Sequence, residues 1–112
     1  MVAEMYRLKL ELDGYRVVMA KDGLEGLRLA EERSPDLIFL DIRLPAMDGL
    51  EVLERLRQSE RTRQVPVVIL SNYSETDLRE RGLKLGALDY LIKSQTTPNR
   101  LSSSVQGWLG ET

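Results

Sequence analysis

Three residues of this chain could act together on a phosphoryl group: Asp41, Ser71 and Lys93. Asp41 closes the run Pro35-Asp36-Leu37-Ile38-Phe39-Leu40-Asp41, which opens into Leu44-Pro45-Ala46-Met47-Asp48-Gly49. A strand apolar on both faces thus ends in a carboxylate, followed by a tight loop and a helix. Ser71 ends Val65-Pro66-Val67-Val68-Ile69-Leu70, and Lys93 lies just past Asp89-Tyr90-Leu91-Ile92. A carboxylate oxygen can attack phosphorus and become an aspartyl phosphate. A hydroxyl can donate a hydrogen bond to one phosphoryl oxygen, and a lysine ammonium can pair with another as a point charge. Phosphoryl transfer is mostly positioning and charge neutralisation, so little else is required. A divalent metal would complete the site, and magnesium, which takes oxygen ligands in octahedral geometry, suits it. Each residue also has a plainer role. Asp41 can cap the loop, Ser71 can satisfy backbone at a strand end, and Lys93 can lie along the surface with its head in water. The chemical reading rests on all three standing at strand ends.

The elements around them bring those ends together. Val2 to Leu12 reads as a helix with Met5, Leu8 and Leu12 on one apolar face, and Asp13-Gly14 stops it. Tyr15 to Ala20, β-branched at Val17 and Val18, reads as a strand. Asp22-Gly23 turns into a helix carrying Leu24, Leu27 and Ala30, which Ser34-Pro35 stops. Leu37 to Leu40 suits a central parallel strand. A helix from about Gly49 to Ser59 carries Leu50, Leu53 and Leu56. Val65 to Leu70 is a second buried strand with Pro66 near its start. Ser74 or Thr76 can cap the helix that runs to Leu85, before the Gly86-Ala87 stop. Asp89 to Ile92 is a short strand. Thr97-Pro98 opens a last helix with Leu101, Val105, Trp108 and Leu109 inward and Ser102 to Ser104 toward solvent. A helix followed by four strand–helix units means a doubly wound parallel α/β sheet. Right-handed crossovers put helices on both faces and the strand carboxyl ends on one edge, where open α/β sheets keep their chemistry.

Composition narrows the alternatives. The chain has 112 residues, 42% hydrophobic and 30% charged, enough for one domain over 1–112 with no output domain. A net charge of −2 gives no basic field for nucleic acid or anionic lipid. Cysteine and histidine are both absent. That excludes disulfides and zinc–thiolate sites, the commonest general base and the commonest transition-metal ligand. No apolar run is long enough for a bilayer and no signal peptide is visible, so a cytoplasmic location is expected. A flavin binder of the same architecture is disfavoured, because no Ser/Thr/Gly-rich phosphate-cradling loop follows any strand.

In order along the chain, Asp13-Gly-Tyr-Arg-Val17, Ala20-Lys-Asp-Gly23, Ser34-Pro-Asp-Leu-Ile-Phe-Leu-Asp41, Leu44-Pro-Ala-Met-Asp-Gly49, Val65-Pro-Val-Val-Ile-Leu-Ser71 and Gly86-Ala-Leu-Asp-Tyr-Leu-Ile-Lys93 resemble the response-regulator receiver domain of two-component signalling. The resemblance runs from the first helix to the last and implies a flavodoxin-like fold. It implies a signalling module of a two-component system or phosphorelay rather than an enzyme. It makes Asp41 the phosphoacceptor, Ser71 the switch hydroxyl, Lys93 the phosphate-pairing lysine and Tyr90 the aromatic that turns inward on activation. Asn72 and Tyr73 match positions that tune access to the phosphoryl group, and Arg43 the place whose backbone carbonyl binds magnesium beside Asp41. The implied partner is a histidine kinase or phosphotransfer protein.

Two departures shape the expectations. The family begins with a buried strand followed by two acidic residues that hold magnesium; here Met1 starts inside what resembles the first helix. Asp41 and the Arg43 carbonyl are then the only protein ligands implied, so magnesium binding is expected to be weak or absent. In the family's sheet the missing strand lies between those read here at Tyr15–Ala20 and Asp36–Asp41. Burying five apolar side chains contributes on the order of 10 kcal/mol, against a net domain stability of about 5–15 kcal/mol. An N-terminally shortened, four-strand, five-helix monomer with an empty slot should be unstable. The Tyr15–Ala20 strand could move beside the Asp41 strand, two chains could fill each other's gap, or the chain could be a shortened product of a longer regulator. A rearranged, dimeric assembly is expected. The alternative function is a phosphorylation-deficient receiver-like binding or oligomerisation module. Ser94 is the second departure: the family often has a cis proline after the lysine, whereas a Lys93–Ser94 bond should be trans.

Overall fold

A computed structural model describes residues 2–42, 47–72 and 76–110, with side chains from residue 4. In chain order it runs α1 (Val2–Leu12), α2 (Gly23–Arg33), β1 (Ile38–Asp41), α3 (Gly49–Gln58), β2 (Val67–Ser71), α4 (Thr76–Lys84), β3 (Asp89–Ile92), a 3-10 turn (Lys93–Gln95) and α5 (Pro98–Trp108). The boundaries follow local chemistry. Asp22 accepts a hydrogen bond from the Glu25 amide at 2.8 Å and starts α2. Asp48 does the same for Leu50 at 2.8 Å and starts α3. Thr97 accepts from Arg100 at 3.1 Å, with Pro98 in the first turn of α5. Each cap satisfies an amide that the helix itself leaves without a partner. Gly14 and Gly86, at φ of 96° and 101°, close α1 and the loop after α4 in the left-handed region.

Among the described residues the sheet has three parallel strands in the order β1-β2-β3. Ile38 pairs with Val67 and Asp41 with Leu70; Val68 pairs with Asp89 and Ser71 with Ile92. The centre, β2, is buried along its whole length, as an all-apolar parallel strand should be. Side chains alternate across the sheet. Ile38, Leu40, Val67, Ile69 and Tyr90 join the core under α2, α3 and α4, which includes Leu50, Leu53 and Leu56. Phe39, Leu70 and Leu91 join the other, with Tyr6 and Leu10 of α1 and Leu101 and Val105 of α5. Phe39 meets Trp108 edge to face, ring centroids 5.8 Å apart. Helices thus cover both faces, and the doubly wound reading holds.

Three expectations are corrected. Tyr15–Ala20 is not a strand. No described strand lies beside it, so its amides and carbonyls have no ladder to join. It has not moved into register with β1, whose only neighbour among the described residues is β2. Tyr15 and Val17 instead anchor the segment by packing on the α1–α5 core. The described sheet therefore has three strands rather than four. The second correction concerns α1. Tyr6 and Leu10 face inward, while Met5, Leu8 and Leu12 are exposed. Both sets have helical spacing, and contact with α5 and the sheet chooses between them. The third is Ser102, which is buried rather than solvated.

Ser102 donates a hydrogen bond to the Asp13 carboxylate across the α1–α5 seam. Lys9 pairs with the other Asp13 oxygen at 3.2 Å. The Ser102 hydrogen bond and then the Lys9 bond hold the Asp13 pKa below the ordinary carboxylate value. A carboxyl whose folded pKa is depressed stabilises the fold above its unfolded pKa of about 3.9 and loses that contribution as pH falls through the lower folded value. Thermal unfolding between pH 5 and pH 2 should therefore fall less steeply in Asp13→Asn than in the parent, with the curves converging at the acid end. Parallel curves would show that the Asp13–Ser102 contact does not stabilise the fold.

Candidate functional site

The parallel register decides what meets at the carboxyl edge. Asp41 ends β1 level with Leu70 of β2, and Leu70 is level with Leu91 of β3. Lys93 stands two residues beyond Leu91. Adjacent strands are about 4.8 Å apart, so a lysine leaving β3 must cross β2 to reach β1. Its four-carbon stem does so, and Lys93 Nζ forms an ion pair with Asp41 Oδ2. The Lys93 side chain is 15% exposed and that of Asp41 33%. The pair is therefore shielded on its lysine side and open to solvent on its carboxylate side. Ser71, at the end of the strand between them, is fully buried, and Tyr90 is 6% exposed in β3. Asn72 is exposed.

The ground beneath Asp41 is tightly packed. The Gly49 amide donates to the Ile42 carbonyl at 2.9 Å. This lays the start of α3 against the end of β1. A Cβ on Gly49 would stand 2.2 Å from the Asp41 carbonyl oxygen, so only glycine allows this approach. Ile42 and Met47 are both buried. The 3-10 turn after β3 fixes the lysine's base: the Thr96 amide donates to the Lys93 carbonyl at 3.3 Å, and Thr96 Oγ1 donates to the Ile92 carbonyl at 2.9 Å. The Lys93–Ser94 bond is trans.

The structure thus brings Asp41, Ser71 and Lys93 to one sheet edge, while Tyr90 lies further back along β3, level with Ile69 in the buried core. Arg43 and Tyr73 lie outside the described residues. Among those described, no group of three acidic side chains stands where it could hold a metal ion. Magnesium bound by protein needs one or two carboxylates beside phosphate and water oxygens; here the described carboxylate of the site, Asp41, is already paired with Lys93. The described donor set alone does not make a magnesium site. Sequence reasoning missed the contributions of Gly49, Thr96 and Tyr6. The adjoining Asp48-Gly49 pair at a helix start was a visible signal for the first. The other two act through contacts between distant parts of the chain.

A three-layer fold with a carboxylate, a hydroxyl and a lysine at the carboxyl edge of a parallel sheet is the flavodoxin-like architecture of receiver modules. The response regulator receiver domain model matches residues 1–106, and the chain belongs to that family. It is 38% identical to the alkaline phosphatase synthesis transcriptional regulatory protein PhoP of Bacillus subtilis, over 96% of this chain and 44% of that protein. It is 41% identical to the DNA-binding dual master transcriptional regulator RpaA of Synechocystis, over 82% of this chain and 38% of that one. The chain therefore spans less than half the length of these regulators. The polar-differentiation response regulator DivK of Brucella ovis is 34% identical, with 96% of this chain and 87% of that protein aligned. Among solved structures, a response regulator from Chloroflexus aurantiacus superposes with a TM-score of 0.89 at 34% identity, covering 98% of this chain and 89% of that one. The receiver domain of the sensor histidine kinase PA1611 of Pseudomonas aeruginosa, solved with magnesium in its active-site cleft, superposes at 0.86 and 33% identity, over 97% of this chain and 88% of that one. Receiver domains are signalling modules. Among the described residues no helix is long and apolar enough to cross a membrane.

Proposed function

We propose that this chain accepts a phosphoryl group on Asp41 from a histidine kinase or phosphotransfer protein. The observation that carries the reading is the Lys93–Asp41 ion pair at the carboxyl edge, with Ser71 buried at the end of the intervening strand. An Asp41 carboxylate oxygen attacks the phosphorus of the donor phosphohistidine. The P–N bond breaks, its electrons pass to the imidazole nitrogen, and an acyl phosphate remains on Asp41. Lys93 moves from the free carboxylate to a phosphoryl oxygen, which carries more charge than the carboxylate it leaves. Ser71 donates to a second oxygen. Tyr90, one residue before the strand position paired with Leu70, reports the movement of Ser71 as the aromatic member of the switch. Asn72 and Tyr73 flank the approach to the phosphoryl group.

The test is intact mass after incubation with acetyl phosphate, with and without magnesium. A phosphoryl adduct supports the reading, and its dependence on magnesium measures how far ligands beyond Asp41, among them the Arg43 carbonyl, contribute. A folded protein that takes no adduct under either condition favours the second reading, a receiver-like binding module without the switch.

The same proposal includes self-association through the side of the sheet next to β1. Met5, Leu8, Leu12, Val18, Met19 and Leu24 are all between 46% and 82% exposed and all fall in the first 24 residues. A contiguous apolar patch marks an interaction surface, and these side chains are the candidates for one. Sedimentation should give a dimer at low micromolar concentration; a stable monomer there would remove this part of the reading.

A further inference from the structure

The lysine that pairs with Asp41 is aimed from a part of the molecule remote from the site. Tyr6 sits in α1, 6% exposed, among Leu10, Leu70, Leu101 and Val105. Its hydroxyl donates a hydrogen bond to the Thr96 carbonyl at 2.7 Å, with the Lys93 carbonyl at 3.5 Å beyond it. Burial pushes the Tyr6 phenol above its ordinary pKa, so it remains a donor at neutral pH. Thr96 closes the turn that begins at Lys93: its amide bonds the Lys93 carbonyl and its side chain bonds the Ile92 carbonyl. On the far side, Thr97 caps α5. Among the described residues, the turn between β3 and α5 is closed by these Thr96 bonds and tied to α1 through the Tyr6 hydroxyl, the Lys93–Asp41 pair being its other long-range side-chain bond. Lys93 must reach across β2 from this turn, so a small rotation at its base is amplified at Nζ in proportion to the length of the side chain.

We propose that Tyr6 is a positioning residue for Lys93, fixing through the Thr96 carbonyl the turn from which the lysine is aimed at Asp41. Its importance for phosphoryl transfer rests on the function proposed above; the geometry itself does not.

The test is Tyr6→Phe, which keeps the buried ring and removes the hydroxyl. Lysine reactivity toward N-hydroxysuccinimidyl acetate is read residue by residue by mass spectrometry. Lys93 should become about twofold to tenfold more reactive, the range expected for loss of one net hydrogen bond. Lys21 and Lys84, both exposed, should not change. Unchanged Lys93 reactivity would overturn the proposal. A parallel rise at all lysines would also overturn it, because it would mean general loosening rather than aim. If the parent takes a phosphoryl adduct, Tyr6→Phe should slow it by a similar factor, and should slow it no further in a Lys93→Met background. If the parent takes none, the function fails while the lysine reactivities still decide the role of Tyr6.

Discussion

Asp41→Asn should abolish the acetyl phosphate adduct while leaving the fold intact. The amide keeps the shape of the carboxylate but is no nucleophile toward phosphorus. The Asn side-chain oxygen can still accept from the Lys93 ammonium, the less exposed member of the pair, which keeps a hydrogen-bond acceptor although it loses its counter-charge. Lys93→Met makes the complementary change. It removes the ammonium and leaves the acyl phosphate one charged hydrogen bond short. Such bonds contribute about 1.5–3 kcal/mol, which predicts a fall in the initial rate of roughly tenfold to a hundredfold. Lys93→Arg should not rescue it, since the planar guanidinium presents a fork rather than a point charge and is longer than the span from β3 to β1 requires. Peptide mapping of the adduct decides the case. A phosphoryl group retained in Asp41→Asn, on another carboxylate such as Asp48, would displace Asp41 as the acceptor.

The second large effect is on stability. Gly49→Ala would be favourable in an ordinary helix by about 1 kcal/mol. Here the added Cβ would fall 2.2 Å from the Asp41 carbonyl oxygen and 2.8 Å from Ile42 Cα. Both neighbours are backbone at the end of a paired strand, and Ile42 is 3% exposed, so neither can move as a flexible side chain would. Forced contacts of this kind cost about 1–3 kcal/mol or more, which outweighs the helix gain. A net loss near 2 kcal/mol would lower Tm by roughly 10 °C in a domain of this size. Because the nearest of the displaced atoms belong to Asp41, the proposed phosphoacceptor, the adduct should fall with it. Gly107→Ala is the control. It lies in α5 with nothing within 4 Å of the added Cβ, so the helix preference acts alone and Tm should rise. A Gly49→Ala protein as stable as the parent would mean that α3 can slide away from β1.

Much of the element order was legible because its signals are local. Leu37 to Leu40 is apolar at every position, and a strand of that kind is buried on both faces whatever surrounds it. Asp22, the Thr97-Pro98 pair and Gly14 mark helix ends by the hydrogen bonds or dihedral angles those residue types alone supply. Alternation of strands and helices then requires parallel strands, and parallel strands put Asp41, Ser71 and the base of Lys93 on one edge. The receiver-family resemblance follows from those same positions. The convergence of site residues was thus determined by sequence, through topology rather than through any contact between them.

Tertiary structure decided what depends on partners distant along the chain. Helix α1 offers two apolar stripes, and periodicity alone could not rank Met5, Leu8 and Leu12 against Tyr6 and Leu10. Packing on α5 and the sheet selected the second, because Tyr6 also finds the Thr96 carbonyl, 90 residues away. Ser102 looked like a solvated residue until Asp13, 89 residues away, supplied its acceptor. Tyr15 to Ala20 has strand propensity, but a strand exists only when a neighbouring backbone completes its hydrogen bonds, and none lies beside it among the described residues. Local sequence determined which elements form and in what order. Only the assembled fold decided which faces turn inward and how the lysine is aimed, because those choices are made by burial and by hydrogen bonds that close between opposite ends of the chain.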